Sequence, residues 1–347
     1  MKAVRFVGVG KPAQVVELPK PEPKAGEVLV KIGGAGVCHS DLHVLHDGIG
    51  IDHSFTLGHE NAGWVAGVGA GVRNWKDGDA VAIYGPWGCG YCHACMQSFE
   101  NYCENWKPGQ AYGGGLGADG GMAEYMLIPS ERLLVPLGKL KPQDAAPLSD
   151  AALTPYHAIK RALPLLTPDA TAVVLGVGGL GHMAVQLIKC LSGARIVAGD
   201  VDDSKLEMAK KMGADLVVNT KNEDAAEKIL KFTGSRKAAL VLDCVGVQPT
   251  VNLGSRIVGM NSHFTIVGLG GGKLTMDGGA AVPFGCMVST PYWGSRAELL
   301  EVLALAEAGR IHAEVTHFKL DETPEVYNKL HEGKIRGRAV IVPEANL

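Results

Sequence analysis

The sequence has no strong excess of charge of either sign: 33 Lys and Arg stand against 36 Asp and Glu, a formal net charge of −3 over 347 residues. A chain this close to neutral gives no electrostatic ground for holding nucleic acid or an anionic membrane, so neither is expected as a partner. A secretory leader is not expected either, because Met1 to Gly10 offers only a short apolar stretch before Lys11 and no small-residue cleavage site. The one uncharged run that approaches a membrane span, Thr171 to Ile188, is marginal in length and crowded with glycine. It reads as a buried strand turning into a helix. Internal repeats, heptads and low-complexity linkers are also missing. The expectation is a cytoplasmic globular protein.

Hydrophobic residues make up 46 % of the chain, enough for sizeable cores, and its length favours two domains. Eight cysteines is an even count. Without a leader a reducing compartment is expected, where clustered thiols serve more often as metal ligands than as disulfides.

Two rhythms divide the sequence. Up to about residue 150, short β-rich runs (Ala3–Val7, Val28–Ile32, Gly63–Val68, Ala80–Ile83) alternate with Pro- and Gly-rich turns. From Thr171 the apolar runs Ala172–Leu175, Arg195–Ala198, Leu216–Asn219, Leu240–Asp243 and Thr265–Val267 are separated by helix-like segments, Gly179–Ser192, Asp203–Met212 and Glu223–Phe232. That repetition predicts an α/β fold with a doubly wound parallel sheet. The boundaries expected are 1–150 for a β-rich domain, 151–284 for the parallel sheet, and 285–347 for a C-terminal segment. This last piece, with a helix over Arg296–Glu307 and a strand over Arg338–Val342, either extends the sheet or returns to the first domain. The glycine-dense stretch Gly113–Gly121 reads as a mobile surface loop.

Gly176-Val177-Gly178-Gly179-Leu180-Gly181 has the form G-x-G-x-x-G. Alone that is a weak signal. Here it follows an apolar strand, opens a helix, and is followed by Asp200 at the end of the next strand, the context of a dinucleotide site. Gly176 suits the tight turn, Gly178 lets a pyrophosphate approach the backbone, and Gly181 lets helix and sheet pack closely. The phosphates then meet free N–H groups at the helix N-terminus. Asp200 can accept from ribose hydroxyls and repels a 2′-phosphate, which favours NAD over NADP. Gly67-Val68-Gly69-Ala70-Gly71 is a decoy, because the polar segment Arg73–Asp79 after it is no helix.

Cys89, Cys92, Cys95 and Cys103 form C-x2-C-x2-C-x7-C, in a lobe expected over 86–104. Four thiolates at this spacing wrap one Zn²⁺ tetrahedrally and leave no open position, which makes a structural site. An iron–sulfur cluster or redox pair is the alternative, and a nucleic-acid zinc ribbon is disfavoured by the scarcity of basic neighbours. A catalytic zinc needs three protein ligands and a vacancy. Cys38, in Gly36-Val37-Cys38-His39-Ser40-Asp41, and His59, in Gly58-His59-Glu60, are candidates that could equally be a small buried thiol and a turn histidine.

Taken together, Gly58-His59-Glu60-x2-Gly63-x5-Gly69-x2-Val72, the four-cysteine stretch ending Asn101-Tyr102-Cys103, Asp119-Gly-Gly-Met-Ala-Glu-Tyr125 and the Gly176–Gly181 turn resemble the zinc-containing medium-chain alcohol dehydrogenases, in the expected order across essentially the whole chain. The look is that of the bacterial and archaeal secondary-alcohol or broad-range enzymes. The resemblance implies a β-rich, GroES-like catalytic domain beside a Rossmann domain. It implies two Zn²⁺ per subunit, NAD as cofactor, an alcohol or carbonyl substrate, and a homotetramer or homodimer. Cys38 and His59 resemble ligands of the catalytic zinc. Asp150 stands where many relatives have cysteine, and Glu60 resembles an alternate ligand. Ser40 and His43 match the family's proton relay. His39 and Arg338 are placed like residues near the pyrophosphate, Thr154 like a nicotinamide contact, and Gly179, Leu180, Lys205, Val245 and Val267 are expected around the cofactor. Trp87, Tyr292 and Trp293 are expected to line an aromatic, hydrophobic pocket. The competing readings are a polyol or threonine-type dehydrogenase of the same superfamily, a zinc-independent quinone reductase or nucleotide-binding scaffold, and a zinc-ribbon interaction protein.

Overall fold

Val28–Gly36, apolar almost throughout, is the strand about which the first half of the protein is assembled. Glu60–Val68 runs antiparallel along one of its edges, while Tyr125–Ile128 and Arg338–Val342 share the other. Beyond these lie Ala80–Ile83 and Leu134–Pro136 on one side and Val315–Lys319 on the other, giving a seven-stranded sheet among the residues described. The computed structural model describes residues 1–107, 109–276 and 281–343. A small antiparallel sheet, Gln14–Glu17, Lys2–Phe6 and Phe55–Thr56, completes the β-rich part.

The second half is a six-stranded parallel sheet among the described residues. Its order is Leu216–Asn219, Arg195–Asp200, Thr171–Leu175, Ala238–Asp243, Val258–Ile266, Met287–Ser289. Thr171–Leu175 is buried at every position, as a parallel strand covered on both faces must be. Val173, Val197, Val241, Ile229, Val251 and Phe264 form the core beneath helices Ala225–Thr233 and Gln248–Ile257. The strand order reverses beside Thr171–Leu175, so the carboxyl end of that strand is the switch point where a ligand crevice belongs.

The chain divides into Met1–Leu153 with Ser295–Gly309 and Ala313–Leu347, and Thr154–Gly294 with Arg310–His312. The segment after residue 284 therefore does both things considered for it. Met287–Ser289 adds the sixth strand to the parallel sheet, while Arg296–Glu307 and Arg338–Val342 belong to the β-rich unit. The strand read at Thr265–Val267 is the end of a longer one, Val258–Ile266, whose polar Asn261 and Ser262 hid its start. Asn261 has φ of 47°, and the pairing with Ala238–Asp243 shifts register there.

The Gly113–Gly121 stretch is not a surface loop. All of its glycines are buried. Gly120, Gly121 and Met122 donate backbone N–H groups to Thr56, Gly58 and Leu57 at 2.8, 3.0 and 2.9 Å. Gly115, at φ +78°, lies so close to Gly58 that a Cβ would enter the Gly58 backbone. Glycine is dense here because two backbones touch, and that contact fixes the approach to His59.

Gly115→Ala combines a left-handed conformation with this overlap and should lower stability by about 2 kcal/mol or more, read as a shifted urea midpoint. A change within about 0.5 kcal/mol, typical of a tolerant surface position, would restore the loop reading.

Candidate metal centres and dinucleotide turn

Cys38 leaves the strand Val28–Gly36 as the residue before helix His39–His46; His59 immediately precedes the strand Glu60–Val68; Asp150 follows the 3₁₀ turn Ala146–Ser149. Folding brings these three segments to one point. The Asp150 Oδ2 lies 3.6 Å from His59 Nε2 and 3.8 Å from Cys38 Sγ. Ligand atoms of Cys38, His59, Glu60 and Asp150 all fall within 4.8 Å of one another, and all four residues are buried. One sulfur, one imidazole and carboxylate oxygens at that separation are the donor set a zinc ion takes, so the residues fit the metal expected of them.

Asp41 was not singled out from the sequence, and it organises the centre. Fully buried, it accepts from the Cys38 backbone N–H at 3.0 Å through Oδ2 and bonds His59 Nδ1 at 3.1 Å through Oδ1. A carboxylate on Nδ1 makes that nitrogen the donor and turns the Nε2 lone pair toward Asp150 and Cys38. The sequence signal was the Cys38-x-x-Asp41 spacing, an N-cap followed by an acid three residues on. Tyr327, 4 % exposed, directs its hydroxyl to Met122 Sδ at 2.9 Å.

Glu60 is engaged differently from Asp150. Arg338 donates Nε to its Oε2 at 2.9 Å and Nη2 to its Oε1, and the two side chains are 3 % and 0 % exposed. Arg338 was carried over as a phosphate ligand. Its contacts are those of a counter-ion for Glu60, with a second approach to Asp150 at 3.8 Å. Burial raises the Glu60 pKa while Arg338 pulls it down.

The second cluster is the four-cysteine lobe. The thiols of Cys89, Cys92, Cys95 and Cys103 lie within 4.8 Å of one another and are not in disulfides. Main-chain and amide N–H groups point at the sulfurs: Cys89 N to Cys103 Sγ at 3.3 Å, Cys92 N to Cys89 Sγ at 3.3 Å, and Asn105 Nδ2 to Cys89 Sγ at 3.2 Å. At Cys89, burial works against the thiolate, but the donors from Tyr91, Cys92 and Asn105 win and bring its pKa to about 6. Donors to sulfur favour the thiolate, the form that binds metal. Arg132 ties the lobe down by bonding Glu100 at 3.0 Å and the Gly88 carbonyl.

In the second unit the glycine turn has the shape its motif requires. Gly176 has φ of +87°, a Cβ on Gly178 would meet open space, and a Cβ on Gly181 would collide with the Gly176 carbonyl. Asp200 Oδ2 accepts from Val177 N at 2.6 Å, and its Oδ1 accepts from Val201 and Asp202 N at 2.8 and 3.0 Å. A groove of about 500 to 1,000 Å³ is ample for such a ligand; the one here, ≈ 620 Å³, is walled by Gly176, Asp200 and Val245, with Thr220, Asn222 and Thr250.

Comparison with known proteins agrees with this geometry. Residues 24–139 match the alcohol dehydrogenase GroES-like domain, and residues 179–308 match the zinc-binding dehydrogenase family. The chain is 36 % identical to an NAD-dependent alcohol dehydrogenase of Sulfurisphaera tokodaii, covering 99 % of this chain and 100 % of the relative. It belongs to the zinc-containing medium-chain alcohol dehydrogenases. Its structure superposes on the alcohol dehydrogenase of Aeropyrum pernix with a TM-score of 0.92 at 36 % identity, covering 99 % of this chain and 100 % of that one. A D-arabinose 1-dehydrogenase (NADP⁺) of Saccharolobus solfataricus is 35 % identical over 99 % of this chain and 97 % of its own length.

The remaining family positions fall as follows. Ser40, half-buried, has Oγ 3.7 Å from Cys38 Sγ; His43, one helical turn on, bonds Asp47 Oδ2 through Nδ1 at 3.0 Å. His39 is exposed at the start of that helix, and Thr154 is 5 % exposed. Gly179 and Leu180 sit in the glycine turn, half-buried. Val245 faces Gly176, and Val267 donates to the Asp243 carbonyl at 2.8 Å. Lys205 is half-buried on helix Asp203–Lys211 and is not among the residues that wall the groove. Trp87 directs its indole N–H to the Tyr84 carbonyl at 3.1 Å and receives the Trp106 N–H at its own carbonyl, so it is packed with the cysteine lobe. Tyr292 and Trp293 meet edge to face at 5.9 Å, Trp293 5 % exposed and Tyr292 37 %.

Asp41→Asn keeps the shape but removes the anion from His59. Zinc affinity at the Cys38–His59 centre should fall about 10- to 100-fold in chelator competition, with the four-cysteine metal retained. Unchanged affinity would remove Asp41 from the centre.

Proposed function

We propose that this protein is a zinc-dependent, NAD-linked alcohol dehydrogenase that interconverts hydrophobic secondary or broad-range alcohols with their ketones or aldehydes. The observation that carries the reading is the meeting of Cys38, His59 and Asp150 at one buried point, in a chain that also builds a dinucleotide turn. Asp150 is the third ligand in this reading, because the Glu60 carboxylate is held on both oxygens by Arg338. A second zinc in the four-cysteine lobe is structural.

Cys38, His59 and Asp150 would hold a zinc ion, which would supply Lewis acidity at the substrate oxygen in both directions of the reaction. Asp41 keeps His59 in the tautomer that offers Nε2. Ser40 Oγ takes the hydroxyl proton. It leaves through His43, whose Nδ1 is held by Asp47 and whose half-exposed ring suits exchange with solvent. NAD⁺ held at the Gly176–Gly181 turn and Asp200 would supply the hydride acceptor, and the products would be one carbonyl, one NADH and one proton. Asp200 has lone pairs beyond its three backbone bonds for the ribose hydroxyls, and its charge selects against a 2′-phosphate.

The assembly is a homotetramer or homodimer. Supporting this, Met287–Ser289 ends the parallel sheet, and Met287, Met260 and Phe284 nearby are 55, 73 and 80 % exposed. A monomer in light scattering would remove it. Cysteines carried as free thiols suit a cytoplasmic, reducing compartment, and no helix among the described residues is long and apolar enough to cross a membrane.

Cys38→Ser should abolish turnover and reduce bound zinc from two ions per chain to one; near-normal rates with both ions present would end the reading. The arabinose dehydrogenase relative makes a polyhydroxylated substrate the second reading. A panel of 2-butanol, cyclohexanol, sorbitol, D-arabinose and threonine, each with NAD⁺ and NADP⁺, should give the highest kcat/KM for the apolar alcohols with NAD⁺. Better turnover of the polyols or of NADP⁺ would reverse the substrate or cofactor assignment respectively.

A further inference from the structure

A cavity of ≈ 500 Å³ lies in the β-rich unit between helices His39–His46 and Thr323–His331 and the segment 10–13. None of the metal ligands lines it. Its size is that of a small-molecule site. Its floor is apolar and buried, formed by Leu42, Leu45, Ala13 and the ring of Tyr327.

Its rim is basic. The ionisable groups there, apart from the Tyr327 phenol, are Lys11, His46 and His331, and Asn328 adds an amide. The His46 and His331 rings face each other at 5.6 Å, tilted by 38°. Lys11 makes no ion pair among the described residues. The acids on the same elements are engaged: Asp47 on His43 at 3.0 Å, Glu325 on Lys329 at 2.8 Å, and Glu332 on Lys334 at 2.7 Å.

Both histidines occupy the last turns of their helices, where carbonyls would ordinarily repel an anion. Those carbonyls are capped. Leu45 O accepts Gly10 N at 2.7 Å, His43 O accepts Gly48 N at 3.0 Å, and Lys329 O accepts Lys334 N at 2.9 Å. What faces the cavity is therefore a set of donors above an apolar floor.

We propose that this cavity binds a small organic carboxylate with an aliphatic or aryl body, at a site separate from the metal centre. The carboxylate lies at Lys11, His46 and His331, and the apolar body rests on Leu42, Leu45 and the Tyr327 ring. An inorganic anion lacks the body that fills the floor, and an alcohol lacks the charge that the rim matches.

Isothermal titration of the metal-replete, full-length protein tests this with three probes: hexanoate, 1-hexanol and inorganic phosphate. Hexanoate should bind this site saturably and at least about tenfold more tightly than either control. Lys11→Glu and His331→Glu, both at exposed positions, should each weaken hexanoate about tenfold and leave kcat for alcohol unchanged. Hexanoate that binds Lys11→Glu as it binds the parent, and is lost only in Cys38→Ser, lies at the metal and overturns the proposal. Equal binding of 1-hexanol overturns it as well, since the rim would then play no part.

Discussion

One carboxylate, that of Asp41, holds the chemistry together. It touches both the backbone of one metal ligand and the ring of another, joining the segment that leaves Val28–Gly36 to the one that enters Glu60–Val68. Imidazole is an ambiguous ligand, because either nitrogen can carry the proton. A buried acceptor on Nδ1 removes the ambiguity and makes the ring more basic. The cost is a fully buried anion, which is tolerable because the Cys38 N–H and the His59 ring both address it.

The same logic of paired burial extends outward. Glu60 beside His59 would be an uncompensated charge in the interior, and Arg338 meets it with two parallel bonds. Removing one partner of such a pair costs about 3–5 kcal/mol, because the other is left charged and unpaired. Glu60 is thereby occupied, and Asp150 is the carboxylate best placed to approach Cys38 and His59. Arg338 bonds both Glu60 oxygens and comes no closer than 3.8 Å to Asp150, and the assignment of Asp150 as third ligand proposed above rests on that difference.

How much of this was legible in the sequence depended on distance along the chain. The four cysteines lie within fifteen residues, and the glycine turn with Asp200 within twenty-five, so spacing alone brought each set together. Strands with uninterrupted apolar runs, such as Ala80–Ile83 and Leu216–Asn219, were read to the residue. What spacing could not supply was partnership across hundreds of residues: Glu60 with Arg338, or Met122 with Tyr327. The family resemblance placed Arg338 near the pyrophosphate, and nothing in the spacing tied it to Glu60, 278 residues away. Gly113–Gly121 was misread for a related reason. Glycine density signals both freedom and close approach, and only the neighbouring Gly58 backbone distinguishes the two.

The return of the chain is what completes the metal centre. Arg338–Val342 pairs with Gly36 and Ala35 at the very end of the strand that leads to Cys38, and the helix carrying Tyr327 arrives just before it. Until those residues are in place Glu60 lacks the Arg338 counter-ion. The β-rich unit therefore closes only after the whole parallel sheet between its two parts has been threaded, a contact of long sequence separation whose closure entropy must be met late. Placing the counter-ion of a buried acid at the far end of the sequence makes the metal site competent only when the entire chain is present, so a truncated product would carry both zinc motifs and still lack the groups that hold one of them in shape.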